Sequence, residues 1–538
     1  MKKGIAASKG YAIGHVVVKE CLENVIAENF IEDTETEKER LKKAIETSIN
    51  QIRTIRERVA REIGEDEATV FDSHIMLLED PELLSSIESE IETGKVNAEK
   101  ALDVVIQGYL AIFESMEDEY LKERAADIKD VSGRLLTNLL GKVASVVQYA
   151  EKTIIAAYDL TPSDTAQIDR SKVIAFLTDI GGRTSHSAIM ARTLEIPAIV
   201  GLNDITSSLK DGDFVIVDGT EGIVIINPDE EVVKEYKAKK EAFEKEKEEL
   251  KKLVNVKVVT KYGKHIEICG NIGSTEDVIK VVENGADGIG LFRTEFLYMD
   301  REDMPTEDEQ YNSYKYVLEK MDNKPVVIRT LDIGGDKKLR YLEMPEEMNP
   351  FLGYRAIRLC LDRKEIFITQ LRALLRASIY GNLKIMFPMI SGLEEIVAAK
   401  AVLNECRDEL LKEGHQIKEE IEIGIMVEIP SAAIMADEFA KHVDFLSIGT
   451  NDLIQYTLAA DRMNAKIAYL YDPGHPAVLR LIKMAIDGAH KAGKWCGMCG
   501  EMAGDEKFMQ ILVEYGLDEF SMSASSILNA KKTILNLN

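Results

Sequence analysis

The sequence predicts a multidomain α/β protein: a small α/β domain with an inserted helical subdomain, a linker helix, and a C-terminal (β/α)8 barrel. Three observations carry this reading. Strand-like segments stand on both sides of a long helical block, and a run of almost solid Glu and Lys follows. Beyond that run, a strand–turn–helix unit repeats over about 280 residues, a fitting size for a (β/α)8 barrel. A chain of 538 residues also suits three or four domains at about 150 residues each.

The first thirty residues, with Gly10, Gly14 and the apolar run His15-Val16-Val17-Val18, read as short strands and turns. From Glu32 the apolar residues Leu41, Ile45, Ile49, Ile52, Ile55 and Val59 fall three or four apart with charges between them. That spacing is amphipathic helix. It continues to about Leu140, with breaks at Gly64, Asp80-Pro81 and Gly94. Strand texture returns at Ile154–Ala157, Val173–Phe176, Phe214–Val217 and Ile223–Ile226. The expected divisions are 1–31 with 144–228 for the α/β domain and 32–143 for the helical subdomain.

Pro228 ends that part, and Asp229 to Lys252 has few apolar residues, so 229–255 is expected to be a solvated connecting helix. From 256 to 538 the strands are Ile266–Cys269, Gly288–Phe292, Val326–Ile328, Lys384–Phe387, Ile423–Val427, Phe445–Ile448, Cys496–Met498 and Glu519–Met522. The residues able to do chemistry recur at the C-terminal ends of these strands: Asn271, Arg293, Arg329, Glu428, Asn451-Asp452 and Cys499. Barrels of this kind carry their active sites on that face.

Composition excludes several classes. Lys and Arg number 67 against 94 Asp and Glu, a net charge of −27 that opposes binding to nucleic acid or an anionic membrane. No run approaches the 18 or so apolar residues of a membrane span. Lys9 interrupts the N-terminus before a signal-type stretch forms. Six Cys in so long a chain make no disulfide framework, and no G-x-x-x-x-G-K-[ST] loop exists for a nucleotide. A cytoplasmic enzyme or regulator remains.

After the strand at Val173–Phe176 comes Gly181-Gly182-Arg183-Thr184-Ser185-His186-Ser187-Ala188-Ile189-Met190-Ala191-Arg192. The glycines permit a tight turn, Thr184 and Ser185 are N-cap types, and Ser187 to Leu194 has helix pattern. His186 therefore sits on a first helical turn, where free N–H groups favour an anion. A largely neutral imidazole there can attack phosphorus. A bare Gly-Gly-x-x-x-His is more often an ordinary capped turn; the longer string alters the weighting.

That string resembles the phosphohistidine signature of the phosphoenolpyruvate-utilising enzymes. Asp444-Phe445-Leu446-Ser447-Ile448-Gly449-Thr450-Asn451-Asp452-Leu453-Ile454-Gln455-Tyr456 resembles their second signature. Within them the chain is similar to the Enzyme I group of the bacterial sugar phosphotransferase system, over essentially its whole length. The resemblance implies phosphorylation of His186 by phosphoenolpyruvate, transfer to the carrier protein HPr docked on the helical subdomain, and Thr165 as hydroxyl partner of the resting histidine. It implies a homodimer formed through the barrel. Family members usually continue beyond the point matching Asn538, which bears on barrel closure and dimer stability.

Phosphoenolpyruvate is a small trianion, and Arg grips its phosphate and carboxylate bidentately. Arg293 and Arg329 end successive strands, and Lys337, Arg355 and Arg462 match family substrate contacts. Glu428 and Asp452 follow apolar strands and are either buried acceptors or ligands for a hard cation. The resemblance makes them Mg2+ ligands and makes Asn451 a substrate contact. Cys496 reads as a core thiol, whereas Cys499 falls at a strand end, mostly protonated and able to donate a proton. The resemblance gives Cys499 the protonation of the enolate carbon. His15, His74, His265, His442 and His475 show no metal-ligand spacing and read as structural or surface residues. Two alternatives stand beside this reading. One is a nitrogen-type paralogue acting on another carrier, which usually has a sensor segment ahead of the first strands. The other is a catalytically silent, phospho-regulated binding protein, against which the intact residue set weighs.

Overall fold

A computed structural model describes residues 1–19, 26–62, 65–114, 119–141, 150–166, 168–169, 171–182, 185–261, 263–299, 301–335, 337, 339, 341–464 and 466–537. The chain forms two compact units, Met1–Glu246 and Lys247–Asn538.

The first unit is built on an eight-stranded sheet of β1 (Lys2–Lys3), β2 (Ile5–Ser8), β3 (Tyr11–Lys19), β4 (Thr153–Ala157), β5 (Val173–Thr178), β6 (Ala198–Val200), β7 (Phe214–Asp218) and β8 (Ile223–Ile226). Their order is β1-β8-β7-β3-β4-β5-β6-β2. The central strands β3, β4, β5 and β6 pair in parallel. Strands covered on both faces should read as continuous apolar runs, and β4, Thr-Ile-Ile-Ala-Ala, is buried at every residue. Ile154 and Leu177 pack into a core on one face, Ile155 and Phe176 into a core on the other. The second core takes Ala188 and Ala191 of the helix that follows β5.

Five helices leave the sheet after β3: α1 (Thr34–Glu62), α2 (Glu65–Glu79), α3 (Pro81–Gly94), α4 (Ala98–Glu114) and α5 (Glu119–Leu139). They enclose their own core of Leu41, Ile52, Phe71, Ile87, Ala101 and Leu135. The break at Asp80-Pro81 is an N-cap: the Asp80 carboxylate accepts from Glu82 N at 2.7 Å and Leu83 N at 3.0 Å, with Pro81 first in the helix. The expected break at Gly64 and the expected boundary at 143/144 lie outside the described residues. Short helices α6 (Pro162–Thr165), α7 (His186–Thr193) and α8 (Ile205–Ser208) join the later strands, and the acidic run forms α9 (Glu230–Lys251).

In the second unit β9 (Val258–Val259) lies antiparallel on β10 (His265–Ile272). Then follow β11 (Ile289–Arg293), β12 (Pro325–Arg329), β13 (Asn382–Phe387), β14 (Glu422–Val427), β15 (Phe445–Ile448), β16 (Trp495–Met498) and β17 (Glu519–Met522). Each pairs in parallel with the next, and β17 closes on β10 through Glu267↔Glu519 and Gly270↔Met522. The helices between and after them are α10 (Asp277–Glu283), α11 (Glu307–Lys320), α12 (Ile357–Asp362), α13 (Lys364–Ala377), α14 (Leu393–Lys412), α15 (Pro430–Ile434), α16 (Ala436–Phe439), α17 (Thr450–Leu458), α18 (Pro476–Lys491), α19 (Glu506–Tyr515) and α20 (Ile527–Asn536). This is the closed eight-stranded barrel that the repeat predicts. Ile328, Ile385, Ile425 and Leu446 join the large core with the helices, so their alternate neighbours face the lumen. Those neighbours include Val327, Met386, Met426 and Phe445, a small separate cluster that also contains Cys499. Among the described residues no helix is long and apolar enough to cross a membrane.

A buried lysine ties the last helix down. Lys531 of α20 is 1% exposed, and its ammonium donates to the carbonyls of Gly285 at 2.6 Å, Val254 at 3.0 Å and Leu253 at 3.4 Å. Replacing a charged donor by an apolar chain leaves these acceptors dry, at a cost of about 1–3 kcal/mol for each one not rescued by water. Lys531→Met is therefore expected to lower the urea midpoint of the barrel unit, and an unchanged midpoint would show that this tie contributes nothing.

Candidate active site

In the first unit the chain leaves β5, turns at Gly181 with φ +109°, a conformation glycine adopts without strain, and enters α7 at His186. Arg183 and Thr184 lie outside the described residues. Ser185 occupies the N-cap position, but its hydroxyl does not cap; it donates to Gly182 O at 2.9 Å. The half-buried His186 ring places Nε2 3.1 Å from Thr165 Oγ1. Thr165 has one proton and two carbonyls in reach, Pro162 O at 3.1 Å and Thr161 O at 3.2 Å. When that proton goes to a carbonyl, the hydroxyl oxygen is free to accept from Nε2–H, which holds the ring in one tautomer. Burial pushes the His186 pKa down to about 4; Asp127 of α5 opposes this, and His74 of α2 adds to it. His74 is itself buried, 3.3 Å from Asp127. The ring is neutral throughout the physiological range.

The barrel gathers its charges at the C-terminal strand ends. Arg329 closes β12, and one of its amino groups meets Asp332 Oδ2 at 2.8 Å while the other donates to Glu295. Asp332 Oδ1 takes Arg355 at 2.8 Å, so a single carboxylate, 2% exposed, bridges two guanidinium groups. Arg355 also reaches Asp452 Oδ2 at 3.5 Å and Tyr456 Oη at 3.2 Å. Lys337 Nζ lies 3.4 Å from Glu295, and Arg462 lies 3.9 Å from Asp452 Oδ1. Burial alone would raise the Asp332 pKa, but Arg329, Arg355 and Lys337 hold it well below the usual carboxylate range. Close backbone approach makes this possible: Gly334 has φ +118°, and a Cβ there would collide with the Arg355 side chain.

Glu428 follows β14 and is 2% exposed; its Oε1 accepts from Met389 N at 2.6 Å. Met389 holds φ +54°, strained for a side-chain-bearing residue, and so aims its N–H at the carboxylate. Burial, then Asp452 and Asp332, push the Glu428 pKa up to about 8, against the pull of Arg329 and Arg355. Asp452 Oδ1 is buried and makes no hydrogen bond. Two neighbouring carboxylates, one resisting ionisation and one with an unsatisfied oxygen, fit a divalent cation that takes further oxygens from a substrate. Among the described residues no group of three or more His, Cys, Asp and Glu is arranged to hold a metal, so these two carboxylates would be the protein's share.

Cys499 directly follows β16 and is 2% exposed. Burial pushes its thiol up to about 11, and a hydrogen bond from Ser447 pulls the other way. Asn271 donates to Cys499 O at 3.0 Å, and Cys496 is buried as a core thiol. A cavity of about 510 Å3 opens beside the cluster, lined in part by Phe351, Met389, Gln455 and Tyr456.

The structure thus joins Arg329, Lys337, Arg355, Asp452 and Arg462 in one network, with Glu428 and Cys499 in its field. Arg293 is the register partner of Arg329 but makes no ion pair among the described residues. Asn451 bonds instead to Glu501, through Glu501 N at 3.2 Å. Thr165 and His186 belong to the other unit. The sequence reading assigned no role to Asp332, Glu295, Ser447 or Asp127. For the first two a signal existed, a carboxylate two or three residues beyond a strand-end Arg.

Three family models match the chain: PEP-utilising enzyme, N-terminal, over residues 3–124; PEP-utilising enzyme, mobile domain, over 149–222; and PEP-utilising enzyme, PEP-binding domain, over 247–538. The chain is 56% identical over 536 residues to a phosphoenolpyruvate-protein phosphotransferase of Priestia megaterium, covering 99% of this chain and 94% of that protein. The protein of the same name from Bacillus subtilis (strain 168) is also 56% identical over 536 residues, with the same coverage of 99% and 94%. A solution structure of an Enzyme I protein is 48% identical, covers 45% of this chain and 100% of its own, and has a TM-score of 0.40.

The histidine geometry gives a titration test. A folded pKa of about 4 lies below the ordinary value of 6.5, so the unfolded chain takes up the proton first. The stabilising preference for the neutral ring is complete above about pH 6.5 and is lost as pH falls towards 4. In an NMR titration the His186 midpoint is expected near 4, and Asp127→Asn is expected to lower it further by removing the charge that opposes the depression. A midpoint near 6.5 would contradict the burial argument.

Proposed function

Because the chain belongs to the family of phosphoenolpyruvate-utilising enzymes, we propose that it is a Mg2+-dependent phosphotransferase that moves the phosphoryl group of phosphoenolpyruvate to His186 and then to a histidine of HPr, in the bacterial sugar phosphotransferase system. The observation that carries this reading is the barrel cluster, where Arg329 and Arg355 are set side by side by one buried carboxylate within reach of Asp452.

The substrate brings three negative charges, and Arg293, Arg329, Lys337, Arg355 and Arg462, with Asn451, are its proposed contacts. Arg293, without an ion pair among the described residues, is free to take one anionic group bidentately. Glu428 and Asp452 would hold Mg2+, which when bound neutralises charge on the phosphate and carboxylate oxygens. His186 supplies the nucleophile. Once the contact with Thr165 opens and the ring proton has moved from Nε2 to Nδ1 by way of solvent, the Nε2 lone pair of the neutral ring attacks phosphorus, a nitrogen–phosphorus bond forms, and the bond from phosphorus to the enol oxygen breaks. Cys499, kept protonated by its burial, gives its proton to the terminal carbon of the enolate and pyruvate results.

His186 and the barrel residues belong to different units, so the reaction needs a productive encounter between 1–31 with 144–228 and 256–538, the proposed phosphohistidine and substrate domains. The segment 229–255 would serve as the connecting element. HPr is proposed to dock on the helical subdomain 32–143, where Met76 and Ile112 are exposed. The proposed quaternary state is a homodimer through the barrel, and the proposed location is the cytoplasm.

The test is incubation with 32P-labelled phosphoenolpyruvate and Mg2+, followed by mapping of acid-labile phosphate. Label on His186 with release of pyruvate is expected; label on another residue, or none, overturns the reading. Cys499→Ala is expected to bind phosphoenolpyruvate normally and to lose about 10²–10⁴-fold in pyruvate formation. An unchanged rate would remove Cys499 from the chemistry.

A further inference from the structure

The barrel interior carries a hydroxyl that the chemistry above leaves unused. Ser447 lies in β15, 1% exposed, and its Oγ donates to Cys499 Sγ at 3.4 Å. The register Ser447↔Gly497 places it two residue pairs below Cys499, which directly follows the adjacent strand, with its side chain in the lumen. The site admits little else, because Leu291, Val327, Met386, Met426 and Phe445 fill the surrounding lumen. Three charged or titratable groups also act on the thiol: Glu519 of β17, Arg329 of β12 and Glu428 beyond β14. Two of the three are acids that disfavour a thiolate, and Arg329 is already engaged by Asp332 and Glu295.

We propose that Ser447 is a catalytic residue: its hydroxyl bonds the Cys499 sulfur, whose own S–H donates at rest to the Ile448 carbonyl at 3.8 Å, and it stabilises the thiolate left after the proton has gone to carbon. The inference rests on the function proposed above and deepens it. The step balances. The S–H bond breaks with its electron pair kept on sulfur, and the proton forms a C–H bond with the enolate π pair. The Ser447 O–H bond stays intact, and its hydrogen bond becomes charge-assisted as the sulfur becomes negative. A proton from solvent restores the thiol. Among the described residues no other group donates to the Cys499 sulfur, so without the hydroxyl the new anion would sit beside apolar side chains. A hydrogen bond to a charged group accounts for about a ten- to hundredfold effect.

The experiment measures phosphoenolpyruvate binding and pyruvate formation in the full-length chain for wild type, Ser447→Ala, Ser447→Cys, Cys499→Ala and the double variant Ser447→Ala/Cys499→Ala. Ser447→Ala should bind substrate as wild type does and form pyruvate about ten- to hundredfold more slowly. Ser447→Cys, a weaker donor of similar size, should fall between them. In the Cys499→Ala background, Ser447→Ala should cause no further loss, because the hydroxyl acts only through the thiol. A wild-type rate in Ser447→Ala overturns the inference, and so does an equal loss with and without Cys499, which would mark a merely structural residue. If wild type itself forms no pyruvate, the functional reading falls and this inference with it.

Discussion

The architecture of the barrel site depends on one carboxylate. Arg329 and Arg355 are both nearly fully buried, and two guanidinium charges cannot share a dry site without a counter-charge. Asp332 supplies it, with one oxygen at 2.8 Å from each. Glu295 and Asp452 take further contacts, so the cations are held in place by acids that the protein itself provides. The resulting field explains why Glu428 resists ionisation while Asp332 does not. Asp332 lies between two cations; Glu428 faces two other acids.

The two units meet opposite electrostatic demands. The barrel concentrates charge, as recognition of a small polyanion requires. The first unit removes it: His186 is neutral because burial disfavours the imidazolium, and only a neutral ring offers a lone pair to phosphorus. Thr165 restrains that ring at the first turn of α7. Cys499 follows the same logic as His186 with the opposite result, since burial disfavours its thiolate and keeps the proton in place.

Much of this was legible in the sequence, and the limits have physical causes. Eight strand–turn–helix units revealed the barrel because each strand buries both faces, which leaves an apolar run of countable length. The three-residue strand β6 and the two-residue β1 were not legible; at that length no period exists to detect. Strand-end position exposed Arg293, Arg329, Glu428, Asp452 and Cys499 as candidates. Their partners were hidden, because Asp332 meets Arg355 across 23 positions and Ser447 meets Cys499 across 52. Such contacts are set by barrel closure. The same holds for Lys531, whose ammonium bonds carbonyls more than 240 positions away. In the sequence it is one more charged residue on an amphipathic helix.

The central claim is that Asp332 prebuilds the anion site by holding two arginines together. Calorimetric titration of the full-length Asp332→Asn variant with phosphoenolpyruvate and Mg2+, beside wild type, tests it most directly. An amide of the same shape loses the charge, and one of its two oxygens becomes an N–H2 facing a guanidinium. At least one arginine should then leave its place, and binding should weaken by about tenfold or more. Binding that is unchanged, or tighter because a negative charge has gone, would show that the arginines need no such bridge.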